Sequence, residues 1–172
     1  ASDVYKRQTL YNAKEGKLYF EIPDSAFGRT YILANRVAAT SNTRDFVAGQ
    51  IATQPLLIRF SKDERNVYIH QIQSSDIVAG TDPIESAFDK NFYDPVLKGF
   101  KIAAQNGKNV VIDVTAFFGA NEKAISPIKT DNPLSKLLGG GNSLKGTFVP
   151  DASGIVSSKC FPENIEIKSR LS

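Results

Sequence analysis

Residues 100–118 read FKIAAQNGKNVVIDVTAFF. An Asn-Gly pair flanked by strand-forming residues is the strongest short hairpin signal a sequence carries, because both residues tolerate the positive φ that a tight turn demands. The stretch therefore predicts two antiparallel strands around Asn106-Gly107, the second running on through VVIDVTAFF. Pairing of neighbours in sequence sets the class of the fold, and the surrounding segments extend it.

Upstream, Leu18, Phe20 and Ile22 alternate with Tyr19 and Glu21 in KLYFEI, a half-buried strand ended by Pro23. PDSAFGR reads as a turn in which Asp24 or Ser25 caps one helical turn and Gly28 closes it. TYILANRVAAT returns to β character, with Tyr31, Leu33 and Val37 on one face, and residues 41–54 read as an irregular loop. PLLIRFS and NVYIHQIQ are two strands joined by the charged connection KDER. The period changes at TDPIESAFDKNF. There Asp82 caps, Pro83 opens and Glu85 completes a capping box, and Ile84, Ala87, Phe88 and Phe92 form one apolar helical stripe. DPVLKGF repeats the Asp-Pro start and reads as a short second turn.

Downstream, DNPLSKLLGGGNS suggests a brief helix over Pro133 to Leu138, stopped by glycines. LKGTFVPDASGIVSSKC reads as loop. The chain closes on alternation: Ile165, Ile167 and Leu171 on one side, Glu166, Lys168 and Arg170 on the other, a strand whose neighbour is YILANRV or VVIDVT. Mainly β architecture follows, a β-rich α+β chain: an antiparallel sheet curled into a sandwich or partial barrel, with one or two short helices packed on it.

Length and composition bound the rest. The 172 residues suit one domain, and 41% hydrophobic with 23% charged residues is ordinary for a folded chain. A net charge of +3, with Lys and Arg scattered among Asp and Glu, offers no basic stripe for nucleic acid. No apolar run reaches the roughly 20 residues of a membrane-spanning helix. The sequence contains no Met and opens on ASDVYKRQ, which resembles translated sequencing adapter. Residues 1–8 are therefore expected to be a non-native leader, and 9–172 a single domain cut from a longer chain.

Candidate chemistry is sparse. His70 is the only histidine and lies in a strand, without the second His and the Glu that a zinc-binding helix supplies. Cys160 is the only cysteine, so no internal disulfide forms. It is expected to be a half-buried small residue beside Phe161. Asp113 in VVIDVT and Glu21 in YFEIP are carboxylates within strands. Such a pair serves glycosidases at separations of about 5–9 Å, but alternation places both on the outward face. LGGGNSLKG lacks the P-loop order, since Lys145 is followed by Gly146. No G-x-S-x-G occurs to mark a serine nucleophile. Tyr11, Tyr19, Tyr31, Tyr68 and Tyr93 could line a binding face, although Tyr in strands more often packs with a wet hydroxyl. Residue chemistry thus assigns no catalytic, cofactor-binding or metal-binding residue.

The order of segments carries a resemblance. GKLYFEIPDSAFGRTYILANRVAATSN, LLIRFSKDERNVYIHQIQ, NFYDPVLKGFKIAAQNGKNVVIDVTAFF and CFPENIEIKSRLS together resemble the N-terminal region of the large zinc-dependent metalloproteases of Bacteroidota-type bacteria. That region, a domain of unknown function, precedes a metzincin-like catalytic domain. The resemblance spans roughly Thr9 to Ser172, with YFEIP, VVIDVT and FPENIEI as its most telling pieces. It implies a non-catalytic accessory domain of an exported peptidase, with the downstream catalytic domain as partner. Zinc would sit on a His-Glu-x-x-His helix of that domain, and no cofactor in this chain. The alternatives are a free-standing glycan- or peptide-binding β module, and an enzyme built on Glu21 and Asp113.

Overall fold

The computed structural model describes residues 8–41, 46–72, 94–128 and 147–172. Seven strands form one antiparallel sheet: β1 (Gln8–Asn12), β2 (Lys17–Ile22), β3 (Thr30–Leu33), β4 (Leu56–Lys62), β5 (Asn66–Ile72), β6 (Val96–Asn106) and β7 (Asn109–Asp113). Their spatial order is β1-β2-β7-β6-β5-β4-β3. A short helix, α1 (Thr115–Gly119), follows β7, and a separate hairpin of β8 (Gly154–Cys160) and β9 (Ile165–Arg170) packs against α1 and β1.

Chain length forces the sheet to curl. Strands β2 and β3 lie five strand spacings apart, about 24 Å on a flat sheet. Only residues 23–29 join them, and even fully extended the eight steps from Ile22 to Thr30 reach about 28 Å. That connection is not extended, because Asp24–Ala26 form a 3-10 turn. The two flanks must bend towards each other, giving a half-barrel. Its concave side holds the core: Leu18, Ile22, Ile58, Val67, Ile69, Phe100, Val110 and Ile112 from the sheet, with Phe117 of α1 fully buried against them. Phe117 stands edge-on to Phe100 at 5.8 Å between ring centres and to Phe118 at 4.9 Å, geometries that aromatic quadrupoles favour.

The mainly β expectation holds, as do KLYFEI, the KDER hairpin and the last strand. Several local expectations do not. The β6–β7 turn centres on Gly107-Lys108 rather than on Asn106-Gly107, since Asn106 pairs with Asn109. Gly107 has φ +61° and, among the described residues, no non-glycine residue has positive φ, so a type II′ turn places its single glycine first. DPVLKGF is no turn: Val96 to Phe100 begin β6. Gly99 lies opposite Tyr68, where a Cβ would sit 3.3 Å from the ring, so its glycine serves close packing. The second strand stops at Asp113. The Asp113 carboxylate accepts the Thr115 N–H at 2.9 Å and Thr115 Oγ1 accepts the Leu18 N–H at 2.9 Å, which turns the chain into α1 and delivers Phe117 to the core.

LKGTFVPDASGIVSSKC is loop only in part, since Gly154–Cys160 form β8. A bulge between Ile155 and Ser157 breaks its alternation and hides the strand from a period-two reading. The partner of β9 is accordingly β8, not YILANRV or VVIDVT. In TYILANRVAAT the strand ends at Leu33; Tyr31 and Leu33 pack on the core, while Ile32 is 73% exposed. Val37 instead exchanges backbone hydrogen bonds with residues 49 and 50. The expected helices at 81–92 and Pro133–Leu138, along with Tyr93 and Lys145, lie outside the described residues.

Candidate functional site

Antiparallel register settles what the two strand carboxylates do. Glu21 pairs with Val111 and Asp113 with Tyr19, so both carboxylates project from the same face of adjacent strands, as diagonal neighbours. They lean apart. Glu21 Oε1 accepts hydrogen bonds from Asn109 Nδ2 at 2.8 Å and Asn106 Nδ2 at 3.1 Å, on the side of Val111 away from Asp113. The two amides cover Glu21, which is 9% exposed although it points outward from the core. Asp113 turns the other way to its own helix and is exposed. No acid/base pair is assembled.

The outward face of β4 and β5 carries a second polar group that the sequence reading missed. The register Arg59↔His70 and Ser61↔Tyr68 makes Ser61 a diagonal neighbour of His70. Ser61 Oγ lies 2.7 Å from His70 Nε2, and His70 Nδ1 lies 3.0 Å from the Asp94 carbonyl oxygen. A carbonyl only accepts, so Nδ1 bears the hydrogen, and in the neutral ring Nε2 accepts from the Ser61 hydroxyl. The Asp94 carboxylate faces Arg59 Nη1 at 3.4 Å rather than the imidazole. His70 thus staples the start of β6 to β4. The signal was present in KDER, whose pairing fixes which residues stand diagonal.

Next along this face, Tyr68 donates its hydroxyl to Asp63 Oδ2 at 2.7 Å, and Asp63 Oδ1 accepts the Arg65 and Asn66 backbone N–H groups at 2.7 Å each. The Arg65 backbone N–H, then the Tyr68 hydroxyl and the Asn66 backbone N–H, hold the Asp63 carboxyl down at about 2, and the bond to Asp63 raises the Tyr68 phenol above its ordinary range. Lys62 Nζ lies over the Phe27 ring at 4.7 Å and donates to Asp24 Oδ1 at 2.6 Å, and that hydrogen bond, with the ammonium charge, lowers the Asp24 carboxyl.

The tyrosines do not share one binding face. Tyr11 donates to the Ile155 carbonyl at 3.0 Å and Tyr31 to the Ala26 carbonyl at 3.1 Å, and both rings pack on the core. Cys160 is exposed rather than half-buried, because β8 ends at the rim of the hairpin. Among the described residues no group of three His, Cys, Asp or Glu could hold a metal ion, and no helix is long and apolar enough to cross a membrane.

One open cleft of about 780 Å³ lies between β6, α1 and the β8–β9 hairpin. Glu15, Lys101, Asp113 and Arg170 rim it, and Phe100 and Ile155 contribute to its walls. Residues distant in sequence converge there through topology, so no local pattern announces it.

The sequence pattern of a family described as "Domain of unknown function (DUF5117)" matches residues 49–172, and that of a second, "Domain of unknown function (DUF5118)", matches residues 9–40. No curated protein and no solved structure matches the chain.

Proposed function

The chain belongs to the DUF5117 family, a family of domains of unknown function, and from that premise we propose that it is the non-catalytic accessory domain of a larger, exported zinc-dependent peptidase. The resemblance of YFEIP, VVIDVT and FPENIEI to the N-terminal region of such enzymes supplies the class. One structural observation supports the non-catalytic part: each candidate reactive side chain already serves the fold. Glu21 holds the β6–β7 turn, Asp113 starts α1, and His70 joins Ser61 to the Asp94 carbonyl. A general base needs a free lone pair within reach of a substrate proton; two amides cover Glu21 and both ring nitrogens of His70 are bridged, while Asp113 spends one carboxylate oxygen on the start of α1. The partner is the catalytic domain of the same polypeptide, which carries the zinc.

Two assays test the proposal. Calorimetric titration of the chain with zinc at neutral pH should give no stoichiometric site, because a catalytic zinc takes about three protein ligands. Incubation with a peptide library should leave the peptides intact. One tight zinc site, or cleavage abolished by His70→Ala or Ser61→Ala, would contradict it.

The cleft favours a second reading, a module that binds glycan or peptide. Its lining holds acidic and basic side chains together with apolar ones, which suits a ligand with both polar and apolar groups. Binding of a glycan or peptide array, lost in Lys101→Ala or Arg170→Ala, would favour this reading over the first.

A further inference from the structure

We infer that the segments matched by the two families are not two domains but one folding unit, in which residues 9–40 form a clasp over both edges of the sheet built by residues 49–172. Among the described residues, the first segment carries β1, β2 and β3, and the second carries β4 to β9. In space the first is divided. β1 and β2 close the β7 edge, β3 closes the β4 edge, and β4–β7 lie between them.

Both seams are continuous ladders. On one side Tyr19 to Ile22 pair with Asp113 to Val110; on the other Thr30 to Leu33 pair with Arg59 to Leu56. Residues 23–29 strap the two flanks together, with the Gly28 N–H donating to the Phe60 carbonyl at 3.1 Å. Leu18, Ile22 and Ala26 of the clasp are buried within the same core cluster as Ile112 and Phe117. The hairpin leans on the clasp as well, through Tyr11 to Ile155 and through Ser158 Oγ to Thr9 Oγ1 at 3.0 Å.

Without the clasp, the β7 and β4 edges would each present unpaired N–H and C=O groups, which template aggregation. The concave core would also lose one wall. The surface formed by those two edges therefore has one fitting partner: a strand–turn–strand segment short enough to require the curl. Residues 9–40 meet that description.

The test uses the full chain. A site-specific protease sequence is placed between Ser41 and Phe46, and the folded protein is cut there. The two pieces should co-elute in native buffer, separate only in denaturant, and unfold in one cooperative transition. Pieces that part in native buffer, with 49–172 keeping its own transition, would overturn the inference. Hydrogen exchange on the uncut chain gives a reading that needs no cleavage. Amides of β2 and β3 should open together with those of β5 and β7. Fast exchange confined to residues 9–40 would mark an appendage and overturn it.

Discussion

Glu21 Oε1 accepts the Asn109 side-chain amide at 2.8 Å, and this contact bridges the two family segments. A carboxylate on the outward face of a sheet is ordinarily solvated. Here Asn106 and Asn109 close over it, so it behaves as a buried acceptor of charge-assisted hydrogen bonds. Replacing it with Ala should cost about 2 kcal/mol, the range for hydrogen bonds to a charged group. Glu21→Gln keeps one acceptor and should cost less. Urea denaturation of both variants checks the order, and an Ala variant within about 0.5 kcal/mol of the parent would place Glu21 among ordinary surface positions.

Acid should weaken the fold through Asp63. Its folded carboxyl titrates at about 2 against an ordinary 3.8. A lowered folded value means that its contribution is complete above the ordinary value and is lost as pH falls from near 4 towards 2. Asp63→Asn should flatten the fall of the thermal midpoint across that window. An unchanged slope would show that other carboxylates dominate the acid limb.

The same bond acts at the alkaline end with opposite sign. The phenol of Tyr68 is raised by the Asp63 carboxylate beside it, so its contribution is present below pH 10 and lost as pH rises beyond. Tyr68→Phe should remove that loss, and spectrophotometric titration at the tyrosinate band should lose a component that titrates above the ordinary phenol range. A titration identical to the parent's would place the raised phenol elsewhere.

Phe117 is fully buried against Phe100 and Phe118. Phe117→Ala should destabilise by about 3–5 kcal/mol through lost transfer energy and the cavity left behind. Phe118→Ala, at a half-buried position, should cost less. Equal losses in thermal melts would contradict the assignment of Phe117 as the centre of the core.

The fold class was legible because alternation in KLYFEI, LLIRFS and NVYIHQI survives wherever one face of a strand is buried. It failed where a local device intervened. The Ile155/Ser157 bulge hid β8, and the carboxylate of Asp113 ended a strand that VTAFF would have continued. The Asp94-Pro95 start looked like that of a helical turn, but β6 begins at Val96, and Gly99 within it clears the Tyr68 ring. The Ser61–His70 contact was within reach of the hairpin register. The cleft was not, since Glu15, Lys101, Asp113 and Arg170 meet only once the β1–β2 turn, β6, β7 and β9 are placed together.

The proposed role stands or falls on what the gene encodes beyond Ser172. Sequencing the native reading frame through and past that codon is the most direct measurement. The frame should continue into a second domain bearing His-Glu-x-x-His within a few hundred residues. A stop codon immediately after Ser172, or a following domain with no such helix, would contradict it.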